Sequence, residues 1–152
     1  MKIIAMLFVV FAGTIATAHS QTAVSDADKA AITQTALDYL EGWYAADGER
    51  MERSLHPELA KRIVRTNPQG QSRLDQMGAM TLVQYTRRGG GKNTPKDKQQ
   101  KDITILDVFE NTASVKAVAA DWIDYLHVAK SNGKWVIVNV LWEMKPKKED
   151  QK

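Results

Sequence analysis

The chain has 152 residues, 43% of them hydrophobic, with 21 basic and 18 acidic side chains for a formal charge of +3, and no cysteine. That length suits one domain with a real core and is too short for two of ordinary size. The lack of cysteine excludes disulfides, thiolate nucleophiles and thiolate metal ligands in one step, so the fold must be held by its core alone.

The first twenty residues differ in kind from the rest. Lys2 gives a positive start, Ile3 to Ile15 is an almost unbroken apolar run, and Ala16 to Ser20 offers small-residue cleavage sites after Ala18 or after Ser20. The pattern predicts a secretory signal peptide over residues 1–20, its apolar run shorter than the ~20 residues a bilayer crossing needs. With no cysteine to carry a lipid, the product is expected to be freely soluble, secreted or periplasmic, with no membrane attachment after cleavage. Residues 21–144 then form the domain, and residues 145–152, with Lys145, Lys147 and Lys148, a basic disordered tail.

Ser25 followed by Asp28 is a capping-box signature, and Ile32, Ala36, Tyr39, Leu40 and Trp43 recur at helical spacing, predicting an amphipathic helix to about Ala46. Asp47 and Gly48 end it and can cap a second helix, Glu49 to Leu55, stopped by Pro57 after His56. Weak alternation from Ala60 to Thr66, the turn residues Asn67 to Gly70 and the segment Ser72 to Gln76 suggest a hairpin. A third helix near Ala79 to Arg88 is expected to bury Leu82, Tyr85 and Val83. Gly89 to Gly91 and the lysine-rich stretch to Lys101 look like a mobile connection.

Asp102 to Met144 predicts three long antiparallel strands joined by turns at Asn111-Thr112 and Asn132-Gly133. The Asn-Gly turn sets a register in which Leu126 faces Asn139 and Asp124 faces Leu141. Trp122, Asp124, Leu126 and Val128 then share a face with Trp135, Ile137, Asn139 and Leu141; Ile123, Tyr125 and His127 share the other with Val136, Val138, Val140 and Trp142. The first turn pairs Leu106 with Ala117 and Ile105 with Val118, and a bulge near Ala120 to Trp122 could switch faces. Because both faces are largely apolar, a second cover is expected, and another copy of the chain is the economical one.

A helix with an aromatic stripe, a short helix ending in His-Pro, a third helix and then a sheet resemble the NTF2-like superfamily, and more narrowly its branch named putative lumazine-binding proteins. The resemblance runs through Tyr39-Leu40-Glu41-Gly42-Trp43-Tyr44-Ala45-Ala46-Asp47, Leu55-His56-Pro57-Glu58, and Asp124 to Lys130 leading into Gly133 to Asn139; it departs at Val140, where the family pattern tends to have lysine. It implies an α+β, cystatin-like and ketosteroid-isomerase-like cone, with N-terminal helices packed on a curved antiparallel sheet. It also implies a pocket between the first helix and the concave face, and a homodimer through the outer face. The fold hosts isomerases, cyclases, dehydratases, transport factors and inactive binding modules, so it does not imply a reaction.

Two residues are candidates for proton transfer. His56 is one, since an imidazole is the side chain suited to acid or base work at operating pH, or it serves the helix end structurally. Asp124 is a carboxylate among apolar neighbours, the environment that makes a carboxyl a proton carrier, or it makes a buried hydrogen bond to Asn139, to the Trp122 indole or to backbone. Tyr39, Trp43, Tyr85, Trp122 and Asn139 are candidate ligand-binding residues, the aromatics serving to stack on a flat ligand or simply as core. No metal site is expected: Asp121 and His127 share a strand face but stand ~20 Å apart at about 3.3 Å per residue, with Asp124 opposite. No cofactor is expected, since Gly89 to Gly91 lacks the flanking strand and helix of a phosphate loop. No nucleic-acid partner is expected, since neither lysine cluster interleaves aromatics. The favoured function is an exported, dimeric domain binding a small, partly apolar molecule. The alternatives are a cofactor-independent isomerase or cyclase working on a carbonyl substrate, and a protein-interaction module with a vestigial pocket.

Overall fold

The computed structural model describes residues 24–146; the expected signal segment, residues 1–20, and the expected tail after residue 146 lie outside them. Lys145, expected in that disordered tail, is instead held in place, its amide donating to the Asp121 carbonyl at 2.8 Å and its ammonium to Gln100 at 2.7 Å. Helix α1 (Asp26–Ala45) starts where expected: the Ser25 side chain accepts from the Asp28 amide at 3.1 Å and donates to its carboxylate at 2.8 Å. Asp47 caps α2 (Gly48–Ser54) by accepting from the Arg50 amide at 2.9 Å. The second helix therefore ends at Ser54, one residue short of the expected Leu55, and His56 belongs to strand β1 (Leu55–Thr66). There the proline falls within the irregular stretch between Leu55 and Ala60, where a missing amide proton is tolerated.

β1 turns back through Asn67 to Gly70 into β2 (Ser72–Met77), pairing Thr66 with Ser72 as a hairpin. Helix α3 (Ala79–Arg87) follows, burying Leu82 and Val83 while Tyr85 stays 48% exposed, so the expectation of a buried Tyr85 is corrected. The glycine-rich connection is also not the loose linker expected. The Gly91 amide donates to the Trp43 carbonyl at 3.0 Å, a 3-10 turn forms at Lys96–Lys98, and Lys101 reaches Glu41 at 3.1 Å.

The C-terminal region holds four strands instead of three: β3 (Asp102–Phe109), β4 (Thr112–Val118), β5 (Trp122–Ser131) and β6 (Lys134–Met144). The expected long central strand breaks at Ala119 to Asp121, where the Ala119 amide donates to the Trp122 carbonyl at 3.0 Å and folds β4 back onto β5. At the first turn the loop residues are Glu110 and Asn111, Glu110 taking φ 48°, and Ile105 pairs with Val115 across a bulge at Leu106. The expected pairs Leu106 with Ala117 and Ile105 with Val118 are thus replaced.

The strand order is β2-β1-β6-β5-β4-β3, antiparallel except where β1 runs parallel to β6. This six-stranded mixed sheet carries the three helices on one face. Thr35 ties α1 down by donating to the Trp135 carbonyl at 2.9 Å. The core between the layers is built from Ile32, Ala36 and Leu40 of α1, Met51 of α2, and Val115, Leu126, Ile137 and Val140 of the sheet.

The Asn132-Gly133 turn has positive φ at both residues (50° and 77°), and the register holds from Ser131↔Lys134 to Val128↔Ile137. It then slips: Val138 is an extra residue on β6, so His127 faces Asn139, Leu126 faces Val140 and Asp124 faces Trp142. One bulge exchanges the faces of everything beyond it. Val140 and Trp142 point to the helices, while Asn139 and Leu141 point outward with Tyr125 and His127, reversing the expected placement.

Candidate functional site

Between the helices and the inner sheet face lies a cavity of about 100 Å³. Tyr39 and Trp43 come from successive turns of α1, Met51 from α2, Leu82 and Tyr85 from α3, and Lys61, Met77, Trp122 and Trp142 from the sheet side. Four of the expected ligand-binding residues, Tyr39, Trp43, Tyr85 and Trp122, therefore meet at one place. Asn139 does not: the Val138 bulge sends it outward, where it accepts from Arg62 at 2.7 Å and lies 3.3 Å from the His127 ring. His56 is not part of the wall either; its Nδ1 accepts from the Glu58 amide at 3.2 Å, a local turn contact.

The walls are indole and phenol surfaces. Trp43 meets Trp122 edge to face, with centroids 6.0 Å apart and planes at 85°. Behind Trp43 the chain is tightly closed, because Gly90 and Gly91 press on its indole; a Cβ on Gly91 would sit 2.5 Å from the Trp43 ring. Tyr85, half exposed on α3, forms the rim.

Charge enters at the floor. Lys61 of β1 lies on the inner face in line with Leu59 and Ile63 and is only 6% exposed. Its ammonium pairs with Oδ1 of Asp124, a residue with no exposed surface, and donates to the Tyr39 hydroxyl at 2.7 Å. The other carboxylate oxygen, Oδ2, accepts from the Trp122 indole at 2.5 Å. Lys61 also lies 4.6 Å from the centre of the Trp142 ring. Asp124 thus makes the hydrogen bond to Trp122 that the sequence offered as one of its two roles, together with an ion pair that it did not suggest.

The electrostatics follow from burial. Desolvation pulls the Lys61 ammonium below its ordinary range, opposed by the Asp124 carboxylate beside it. Burial pushes the Tyr39 phenol well above its ordinary value, and the Asp124 charge pushes the same way. At neutral pH Tyr39 is therefore a neutral hydroxyl, and the floor is one ion pair with no net charge. One polar atom is left over: the Trp142 indole nitrogen is buried and has no hydrogen-bond partner among the described residues. No group of three His, Cys, Asp or Glu among those residues is placed to hold a metal ion.

Reasoning from the sequence missed Lys61 and Trp142. Lys61 had a signal, alternation with Leu59 and Ile63, but a strand lysine defaults to solvent. Trp142 was assigned to the wrong face by the unseen bulge.

Among solved structures the chain resembles an NTF2-like protein of unknown function from Methylobacillus flagellatus KT, with TM-score 0.61, 22% identity, and coverage of 82% of this chain and 97% of that one. It also resembles an NTF2-like protein of unknown function from Shewanella baltica OS155, with TM-score 0.59, 16% identity, and 82% and 99% of the two chains covered. A third likeness is to a ketosteroid isomerase-like protein from Erwinia carotovora atroseptica SCRI1043, with TM-score 0.52, 12% identity, and 81% and 100% covered. At these identities the likeness establishes a shared NTF2-like, cystatin-like fold. No curated protein matches the sequence. Residues 27–143 match the family described as "Putative lumazine-binding", and the chain belongs to that family.

Proposed function

We propose that this protein is an exported receptor domain that binds a small, partly apolar molecule in the cone without a cofactor. One observation carries the reading: an aromatic-walled cavity of about 100 Å³ has in its lining one charged side chain, Lys61, which is paired with the buried Asp124. A wall of indole, phenol and thioether groups with few polar atoms suits an apolar body, and a few fixed polar groups suit orientation. The signal-like N-terminus supports export. The outer sheet face supports a homodimer, since Tyr125 and Leu141 stand beside each other there, each about half exposed, near Val136 and Val138.

A second reading, a cofactor-independent isomerase or cyclase acting on a carbonyl by proton transfer, draws support from the hydrogen-bonded chain of Tyr39, Lys61 and Asp124. Binding is favoured over it because both Asp124 oxygens are already engaged, and His56 lies outside the cavity wall. The interaction-module reading is weaker still, because Trp43 and Trp122 border the space instead of filling it.

Native mass spectrometry of the protein recovered from its own host tests all three elements. The expected spectrum is a dimer of chains starting at His19 or Gln21, with a small molecule released on activation. A bare monomer retaining residues 1–20 would overturn the reading.

A further inference from the structure

We propose that the cavity takes in only a hydrocarbon part of its ligand, about one ring in size, and leaves the ligand's polar groups outside at the Tyr85 rim. This deepens the small-molecule reading above and rests on it. The surface that the cavity presents is almost wholly carbon. Each polar group around it is engaged or turned away. Both oxygens of Asp124 are taken, one by Lys61 and one by Trp122, and the carboxylate has no exposed surface. The Tyr39 hydroxyl accepts from Lys61 and is hydrogen-bonded to Asp124 as well. Two N–H groups of Lys61 go to Asp124 and Tyr39, and its ammonium lies 4.6 Å from the centre of the Trp142 ring, whose face covers the third. The Trp43 nitrogen lies on the Gly91 side of its ring, and the buried Trp142 nitrogen has essentially no accessible surface. The Tyr85 phenol remains, and α3 carries it to the half-exposed rim.

Such a sleeve selects by desolvation. A hydroxyl, amide or ring nitrogen carried into it gives up its water and finds no partner, which weakens binding about five- to 150-fold for each neutral group and further for a charged one. An apolar ring gives up nothing of the kind and meets the edge-to-face indoles of Trp43 and Trp122. The volume, about 100 Å³, is smaller than the ~150 Å³ of an engineered apolar cavity that takes up benzene, so a single ring fills it and the remainder of the ligand stands at the rim. The class is therefore a one-ring amphiphile, polar at one end only, such as a para-alkylphenol or an aryl ketone held ring inward. Lumazine, the molecule in the family's description, breaks this rule: its two fused rings leave only a two-carbon edge free of nitrogen and oxygen.

The probes p-cresol and hydroquinone share one shape and differ at one end, methyl against hydroxyl. Each is titrated into the wild-type protein, with lumazine as a third probe, and followed by NMR at the methyl groups of Met51 and Met77, which line the cavity. p-Cresol can enter methyl first with its hydroxyl at Tyr85, whereas hydroquinone has to bury a hydroxyl. Hydroquinone, kept reduced with ascorbate, should bind about five- to 150-fold more weakly, and lumazine should leave both methyl signals unmoved at a concentration where p-cresol saturates. Nuclear Overhauser contacts from the p-cresol methyl should be stronger to Met51, which has no exposed surface, than to the Tyr85 ring. The same rule sets the ring of acetophenone against Met51 and its acetyl group at Tyr85. Hydroquinone binding as tightly as p-cresol, a lumazine shift at either methionine, or a p-cresol methyl closer to Tyr85 than to Met51 would overturn the inference and leave the small-molecule reading standing. If neither p-cresol nor acetophenone moves either methyl signal, the small-molecule reading itself falls.

Discussion

Replacing Lys61 by methionine keeps the length of the side chain and removes its charge. Asp124, with no exposed surface, would then keep only the Trp122 indole and the Tyr39 hydroxyl nearby. Breaking a buried pair from one side typically costs about 3–5 kcal/mol. The carboxylate has an escape, which is to take up a proton; at pH 7, about three units above the usual carboxylate range, that costs about 4 kcal/mol at 1.36 kcal/mol per unit. The two figures agree, so Lys61→Met should lose about 3–4 kcal/mol in urea unfolding at pH 7, with an unchanged m value. The escape becomes cheaper in acid, so the deficit relative to wild type should shrink by about 1.4 kcal/mol for each pH unit between 7 and 5. A Lys61→Met, Asp124→Asn double variant removes both charges, and its amide can still accept from Trp122. It should lie within about 1.5 kcal/mol of wild type and show little change over the same pH range. A Lys61→Met loss below about 1 kcal/mol, or a deficit independent of pH, would refute the picture of a desolvated pair at the cavity floor.

Gly91→Ala should push the Trp43 indole toward the cavity, because its new methyl would start 2.5 Å from that ring and 3.0 Å from Tyr44. The expected result is a loss of about 1–3 kcal/mol and weaker acetophenone binding, and unchanged binding would contradict it. Asp28 is held down to about 2, below its ordinary 3.8, first by the Lys130 hydrogen bond and then by those from Trp135 and Ser25. A lowered carboxyl adds stability above its ordinary value that disappears as pH falls toward the folded one, so wild type should lose this contribution between pH 4 and 2. Asp28→Asn should flatten that part of the acid unfolding curve; an identical curve would refute the assignment. Leu141→Glu should convert a dimer to a monomer in sedimentation equilibrium, since it places a charge on the half-exposed outer face. A wild-type protein that sediments as a monomer would remove the basis for that interface.

Local signals in the sequence were reliable where the chemistry is local. The Ser25 cap, the Asp47 cap and the Asn132-Gly133 turn depend on side chains and φ angles within a few residues, and each appears where expected. Two features were weakly marked. The fold-back at Ala119 to Asp121 contains no glycine, proline or asparagine, and its one turn-favouring residue, Asp121, suggested a bulge within a continuing strand and not a reversal of the chain. The bulge at Val138 sits in the run Val136 to Val140, where apolar residues satisfy either face, so periodicity could not reveal a slip of one residue. The site suffered from that second blind spot. Tyr39, Trp43, Tyr85 and Trp122 were found because aromatic spacing survives small register errors, whereas Trp142 and Asn139 exchanged faces. Lys61 became meaningful only through the parallel pairing of β1 with β6, a contact between segments some eighty residues apart that sets Lys61 beside Val140 on the inner face.

The central claim, a cavity in the cone that takes up a small flat molecule, has a direct probe in the methionine methyl groups. Met51 and Met77 line the cavity, whereas Met80 and Met144 are exposed elsewhere. With ¹³C-methyl methionine labelling and acetophenone titration, the ring current of a bound probe should shift Met51 and Met77 in a saturable way while Met80 and Met144 stay put. Shifts confined to Met80 or Met144, or none at any methionine up to the solubility of the probe, would contradict it.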